Sequence, residues 1–258
     1  MEARSQVTIR AAARRWGAAA IAIALGGFML ARSASARADT ISNLLQPAEP
    51  SHLTLTLFAA GYGNESYGVT HEGFELEQSI TRGIGVVLRL GNYQIYQGTG
   101  YDTPFNGRPG APFFFGRFEG GVDLTPIEGT HLAVLGGHDV GDSHSAVIEE
   151  SFSSWINIHS AHPINFSINS SQYFQNNLCN GLIDLRTVLL STGELIVLAG
   201  AGATVWGGNG PGPANVQGGP DLGFFYRPWK IRLDIQGGYG SDNEYGLVAF
   251  SRSFDWQE

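Results

Sequence analysis

The chain has 258 residues, of which 36 are glycine, and its charged residues make up 15%, well below the ~25% typical of soluble globular proteins. The formal net charge is −8 at pH 7, and no basic stripe of the kind that binds nucleic acid is present. A single cysteine, Cys179, excludes an internal disulfide and a thiolate metal cluster.

The first 38 residues have the pattern of a secretory signal peptide. Arginines are concentrated in residues 1–16, an apolar run follows at 17–31, and Ala36-Arg37-Ala38 supplies small residues for cleavage. The apolar run is shorter than the ~20 residues that a transmembrane helix needs. We therefore predict export with a cleaved leader (1–38). The mature chain then carries nine basic and 22 acidic residues, a formal charge of −13.

A polar, proline-bearing lead-in at 39–51 precedes a single predicted β domain at 52–258. Short segments in which apolar and polar residues alternate, bounded by Gly, Pro or Asn, predict β-strands. The segment 181–206 is the best example, because two such runs flank Ser191-Thr192-Gly193. Twelve strands are predicted, at 52–62, 72–80, 84–97, 112–124, 131–140, 146–160, 164–174, 181–190, 194–206, 220–226, 230–240 and 244–256.

The connections between these strands alternate in length. Compact turns are predicted at 81–83, 125–130, 161–163, 191–193 and 227–229. Longer loops are predicted at 63–71, 98–111 and 207–219, and two further connections, near Asp142 and Asp242, are short. Tight turns at one rim and longer loops at the other are typical of an outer-membrane barrel.

In these features the sequence resembles the Gram-negative outer-membrane β-barrel proteins as a class. The resemblance rests on the leader, the even strand number, the alternating connections and the last strand, YGLVAFSRSFDW, in which Arg252 interrupts an apolar face that ends at Trp256. It implies an all-β fold, a single antiparallel up-and-down transmembrane β-barrel of about 12 strands in the cell outer membrane. The implied partners are outer-membrane lipids and the barrel-insertion machinery, which recognises the C-terminal strand. No cofactor is implied.

Charged residues occupy one face of several predicted strands. In the strand at 230–240, Ile231, Leu233 and Ile235 alternate with Arg232 and Asp234. An arginine that faces lipid at mid-membrane costs about 2–4 kcal/mol, so the charged faces are expected to point inward. A 12-stranded barrel has a backbone radius of roughly 12 Å and leaves a narrow passage or none. The predicted lumen-lining residues are Glu75, Glu77, Arg89, Arg117, Glu119, Asp184, Arg186, Arg232 and Asp234.

One segment, 136–150, concentrates residues that could support chemistry. A nucleophile with its base, or a divalent cation site, could be drawn from His138, Asp139, Asp142, Ser143, His144, Ser145, Glu149 and Glu150. The weak metal candidates are His138, Asp139, Asp142 and His144. Because Ser, Asp and Gly are also ordinary turn residues, and no established catalytic motif is present, we assign no catalytic residue and no metal site here.

Three functions remain open from the sequence. The first is a narrow outer-membrane channel for small solutes, or a barrel accessory to export of an envelope component. The alternatives are an outer-membrane lipid-modifying enzyme and a soluble exported β-barrel that binds a small ligand. Segregation of turns from loops favours the membrane functions. Enzymatic activity is not expected.

Overall fold

The computed structural model describes residues 52–64, 67–97, 113–127, 130–141, 145–156, 160, 162–174, 178–207, 215–240 and 244–257. The expected signal peptide (1–38) and lead-in (39–51) lie outside these residues. No helix among the described residues is long and apolar enough to cross a membrane.

The described chain consists almost entirely of β-strands. Between the tenth and eleventh strands lies a short 3₁₀ turn, Arg227–Trp229. The strands are β1 (His52–Asn64), β2 (Tyr67–Thr81), β3 (Ile84–Gln97), β4 (Phe113–Ile127), β5 (Thr130–Gly141), β6 (Ala146–Ile156), β7 (Ile164–Tyr173), β8 (Leu178–Ser191), β9 (Leu195–Gly207), β10 (Asn215–Tyr226), β11 (Ile231–Gly240) and β12 (Glu244–Gln257).

The 12 strands form one closed antiparallel barrel in which each strand pairs with its neighbour in the sequence. The barrel closes between β1 and β12, in a register that runs from His52 opposite Gln257 to Asn64 opposite Tyr245. Closure gives every strand two partners and leaves no edge with unpaired backbone groups. The predicted all-β, up-and-down barrel of 12 strands is confirmed.

The strands differ from the predicted ones mainly at the rim that carries the β1–β2 and β9–β10 connections. The predicted loop at 63–71 is wrong: β1 continues to Asn64 and β2 begins at Tyr67, so only 65–66 separate them. The β9–β10 loop is likewise shorter than predicted, because β10 begins at Asn215. Glycine-rich sequence suggests a loop, but here neighbouring strands pair with these residues and extend the sheet.

Side chains along the strands alternate between an interior that holds most of the buried charges, together with apolar residues such as Phe115 and Leu135, and a largely apolar exterior. In β4, Arg117 and Glu119 are 2% and 0% exposed, whereas Phe118 and Val122, on the opposite face, are 52% and 43% exposed. This pattern is the reverse of a soluble barrel, in which apolar side chains fill the interior. The exterior is therefore suited to contact with lipid.

This arrangement predicts that a charge placed on the outer face destabilises the barrel more in the middle of a strand than near the rim. Leu222 lies on the outer face in the middle of β10 and is 41% exposed; Val216 lies on the same face near the rim. Leu222→Arg is expected to lower the free energy of unfolding in lipid vesicles by about 2–4 kcal/mol, and Val216→Arg by about 0–1 kcal/mol. Urea titration of the refolded protein measures both. Equal losses at the two positions would contradict the lipid-facing assignment.

Candidate functional site

Arg89 on β3 is the centre of the larger of two ion-paired clusters inside the barrel. Its Nε and Nη2 donate to Oε2 of Glu75 on β2, at 2.8 and 2.6 Å. Its Nη1 donates to Oε2 of Glu149 on β6, at 2.5 Å. Because β3 and β6 are separated by two strands, this bond spans part of the interior rather than following one ladder.

Arg117 on β4 completes this cluster. It forms a fork with Asp139 on β5, with Nε to Oδ1 at 2.7 Å and Nη2 to Oδ2 at 3.2 Å, and Nη1 donates to Glu149 Oε1 at 2.8 Å. The guanidinium group also lies 4.4 Å from the ring centre of Tyr93. Two-point arginine–carboxylate contacts of this kind fix both partners in position.

Glu119 is the poorly satisfied member of the cluster. Its side chain is 1% exposed, and Arg89 Nη1 lies 3.5 Å from its Oε2. Neither carboxylate oxygen accepts a hydrogen bond. A buried carboxylate without donors is costly. We define the Arg89–Arg117 cluster as Arg89, Arg117, Glu75, Glu119, Asp139 and Glu149.

A second cluster lies on the other side of the barrel around Arg186 on β8. Arg186 Nε donates to Oδ2 of Asp221 at 2.6 Å, and its Nη1 donates to Asp234 on β11. Asp184 lies 3.7 Å from Arg186 Nη2. Arg232 Nε donates to Asp234 Oδ2 at 2.6 Å. We define the Arg186 cluster as Asp184, Arg186, Asp221, Arg232 and Asp234.

Glycines on β9 and β10 make room for the Arg186 cluster. The Oδ1 atom of Asp184 and the Nε2 atom of Gln236 both lie where a side chain on Gly202 would project. Both atoms are buried and without a hydrogen-bond partner, as is Oδ1 of Asp221. Gly202 on β9 therefore leaves space for polar groups from β8 and β11.

A stack of three rings lies beside the larger cluster. His71, Tyr93 and Phe115 occupy register positions on β2, β3 and β4. The ring centres are 3.7 Å apart for His71 and Tyr93 and 4.8 Å apart for Tyr93 and Phe115. Because Tyr93 contacts both Phe115 and Arg117, the stack and the cluster are in direct contact.

Eight of the nine predicted lumen residues belong to the two clusters. The ninth, Glu77, lies two residues from Glu75 on β2 and belongs to neither. Close to Glu77, His131 on β5 contacts Asp123 on β4.

Sequence alternation does not identify Asp139 and Glu149 as interior residues, and Asp221 is absent from the predicted lumen set. Asp139 and Glu149 belong to the 136–150 segment, where the neighbouring Glu150 hides the alternation that marks Glu149. The sequence does mark Asp221, because this acidic residue directly precedes Leu222 at the start of a predicted strand, and consecutive strand residues face opposite sides.

The 136–150 segment does not form one site among the described residues. His138 is exposed on the outer face of β5, whereas Asp139 is 1% exposed and bound to Arg117. Asp142, Ser143 and His144 lie outside the described residues. No group of three or more His, Cys, Asp or Glu in the described ranges is arranged to hold a metal ion.

Comparison with known proteins identifies the fold but no family. No protein-family model and no characterised protein matches the sequence. The structure is similar to the β domain of the Bordetella autotransporter BrkA, with a TM-score of 0.54 and 11% identity over 81% of this chain and 100% of that one.

Two other solved structures are similar at the same level. The translocator domain of autotransporter NalP from Neisseria meningitidis has a TM-score of 0.50 and 9% identity, covering 92% of this chain and 97% of that one. LpxR from Salmonella typhimurium has a TM-score of 0.50 and 9% identity, covering 78% and 99%. The class-level resemblance to outer-membrane β-barrels is thus confirmed, as a likeness of fold.

Neutralising a buried carboxylate is expected to change the stability of the barrel in opposite directions, depending on whether an arginine donates hydrogen bonds to it. Glu119→Gln removes a charge that accepts no hydrogen bond, and we expect it to raise the free energy of unfolding by about 1 kcal/mol. Asp139→Asn breaks the fork with buried Arg117 and is expected to lower it by about 3–5 kcal/mol. Urea titration in detergent micelles distinguishes them. Changes of the same sign would contradict the different environments assigned to the two carboxylates.

A methyl group at Gly202 is expected to disturb the Arg186 cluster. Gly202→Ala would force the Asp184 carboxylate and the Gln236 amide to move, at a cost of about 1–3 kcal/mol. Gly246→Ala is the matched control, because nothing lies within 4 Å of the added carbon, and its effect should stay within about 0.5 kcal/mol. Temperature-dependent loss of the folded gel band in detergent ranks the two variants. Equal stability would argue against close packing at Gly202.

Proposed function

We propose that this chain is an outer-membrane β-barrel that admits small cations through a narrow passage constricted by its two ion-paired clusters. The observation that carries the proposal is the set of arginine–carboxylate bonds that span strands inside the barrel, from Arg89 to Glu149 and from Arg186 to Asp234. The barrel fold, its apolar exterior and its likeness to outer-membrane barrels support the location.

The clusters limit the width of any passage. Arg117, Glu119 and Asp139 are at most 2% exposed and are therefore shielded from solvent. Arg89 and Glu149 remain about one fifth exposed at their side chains, which leaves a polar surface beside the buried groups. A passage beside these groups would suit small ions.

The charge balance favours cations. In the two clusters seven carboxylates accompany four guanidinium groups, a formal excess of three negative charges. Rings and clusters of carboxylates in a narrow pore attract cations and repel anions, and low-dielectric walls strengthen the effect. An excess of acidic groups inside the barrel is therefore expected to set ion preference as well as width.

The exterior supports a membrane location over the soluble alternative. Large apolar side chains are widely exposed on the outer face, including Phe118 at 52%, Leu185 at 54% and Val248 at 48%. Soluble monomers rarely expose contiguous apolar surface on this scale. For the enzyme alternative, His138 and Asp139 face opposite sides of the wall, so they cannot serve one site together.

The test is to neutralise charges in the clusters and measure ion selectivity. In planar bilayers we expect the wild type to show small conductance steps, with K⁺ more permeant than Cl⁻. Arg117→Ala removes a positive charge and bulk from the constriction, so conductance and K⁺ preference should both rise. Glu149→Gln keeps the side-chain shape but removes a negative charge, so the K⁺ preference should fall.

Arg82→Ala is the matched control, because Arg82 is exposed in the β2–β3 turn and contributes to neither cluster. Its reversal potential should equal that of the wild type. Gel mobility before and after boiling shows whether each variant is folded. The cation passage would be overturned if the folded variants Arg117→Ala and Glu149→Gln had the same reversal potential as the wild type. It would also be overturned if neither the wild type nor these two variants conducted ions.

A further inference from the structure

Arg252 occupies an unexpected position on the outer face of β12. It follows Val248 and Phe250 and precedes Phe254 and Trp256 on that face, and the apolar residues Val248, Phe250 and Trp256 are 48%, 43% and 49% exposed. An arginine facing lipid costs about 2–4 kcal/mol at the bilayer midplane but about 0–1 kcal/mol near the interface. The depth of Arg252 therefore decides what its guanidinium contacts.

The register places Arg252 at the rim that carries the tight turns. It pairs with Ile231, the first residue of β11, directly after the β10–β11 turn. In that turn Arg227 and Lys230 are exposed, and Trp229 is 62% exposed. Exposed basic and tryptophan side chains together are typical of the zone where hydrocarbon meets lipid headgroups.

The β10–β11 turn and the end of β12 enclose a depression at this rim. It measures about 300 Å³ and is lined by Pro228, Trp229, Lys230, Arg252, Ser253, Phe254, Asp255 and Trp256. Asp255 contacts Lys230 and balances its charge. The Arg252 guanidinium lies 4.6 Å from the ring centre of Phe254, which leaves its edge available to an anion.

We propose that this depression binds the phosphate of a membrane phospholipid headgroup. Arg252 supplies the planar fork that matches a phosphate, and Trp229 and Trp256 flank it with apolar surface that has a polar edge. The acyl chains would follow Phe250 and Val248 along the outer face of β12. The proposal rests on the membrane location proposed above and is independent of conduction through the lumen.

The test measures phospholipid retention by the folded barrel. Phosphatidylglycerol is titrated into the full chain in neutral detergent, and native mass spectrometry counts the lipids bound. Arg252→Gln is expected to weaken the tightest binding by at least about fivefold, a loss of about 1 kcal/mol. Arg82→Gln, which removes an exposed arginine from another turn at the same rim, is expected to leave it unchanged.

A competition experiment with inorganic phosphate distinguishes a lipid site from a site for free anions. Under the proposal, millimolar phosphate leaves lipid binding unchanged, because the flanking aromatic surface contributes to retention. Equal binding by the wild type and Arg252→Gln would overturn the site, and displacement by phosphate would replace it with a free-anion site. The unboiled gel band of the same samples reports folding, so loss of the barrel itself is recognised separately from loss of the lipid.

Discussion

Pairing between β1 and β12 is the constraint on which the rest of the structure depends. A sheet whose ends do not meet exposes backbone N–H and C=O groups, and each such group costs several kcal/mol in lipid. Here the first and last described strands are in register from His52 opposite Gln257 to Asn64 opposite Tyr245. Closure fixes which parity of each strand faces inward, and therefore which charges meet.

Closure also explains why charged residues far apart in the sequence become partners. Arg89 and Glu149 are 60 residues apart, and Arg186 and Asp234 are 48 apart. Each lies on the inward parity of its own strand, and the narrow cylinder brings the side chains into contact. The same parity places Leu222 and Phe118 on the outside, where both are exposed, on a surface suited to contact with lipid.

The sequence was sufficient to predict the barrel, because 12 alternating segments repeat a signal that is weak in any single one. It failed at 63–71, where glycine and asparagine suggest a loop although neighbouring strands pair there. Polar alternation also identified Arg117 and Arg186 as inward candidates. Their partners were not predictable from single strands, because Asp139 meets Arg117 through the β4–β5 register and Asp221 meets Arg186 across β9.

The use of arginine rather than lysine as the basic residue inside the barrel follows from the same geometry. Lys230 is the only lysine in the sequence, and it lies in an exposed turn. Arg89 and Arg186 each lie within ion-pair distance of three carboxylates. A planar guanidinium offers five donors in fixed directions, whereas an ammonium group offers three on a compact charge. One arginine can therefore hold carboxylates from several strands while the interior keeps its negative excess.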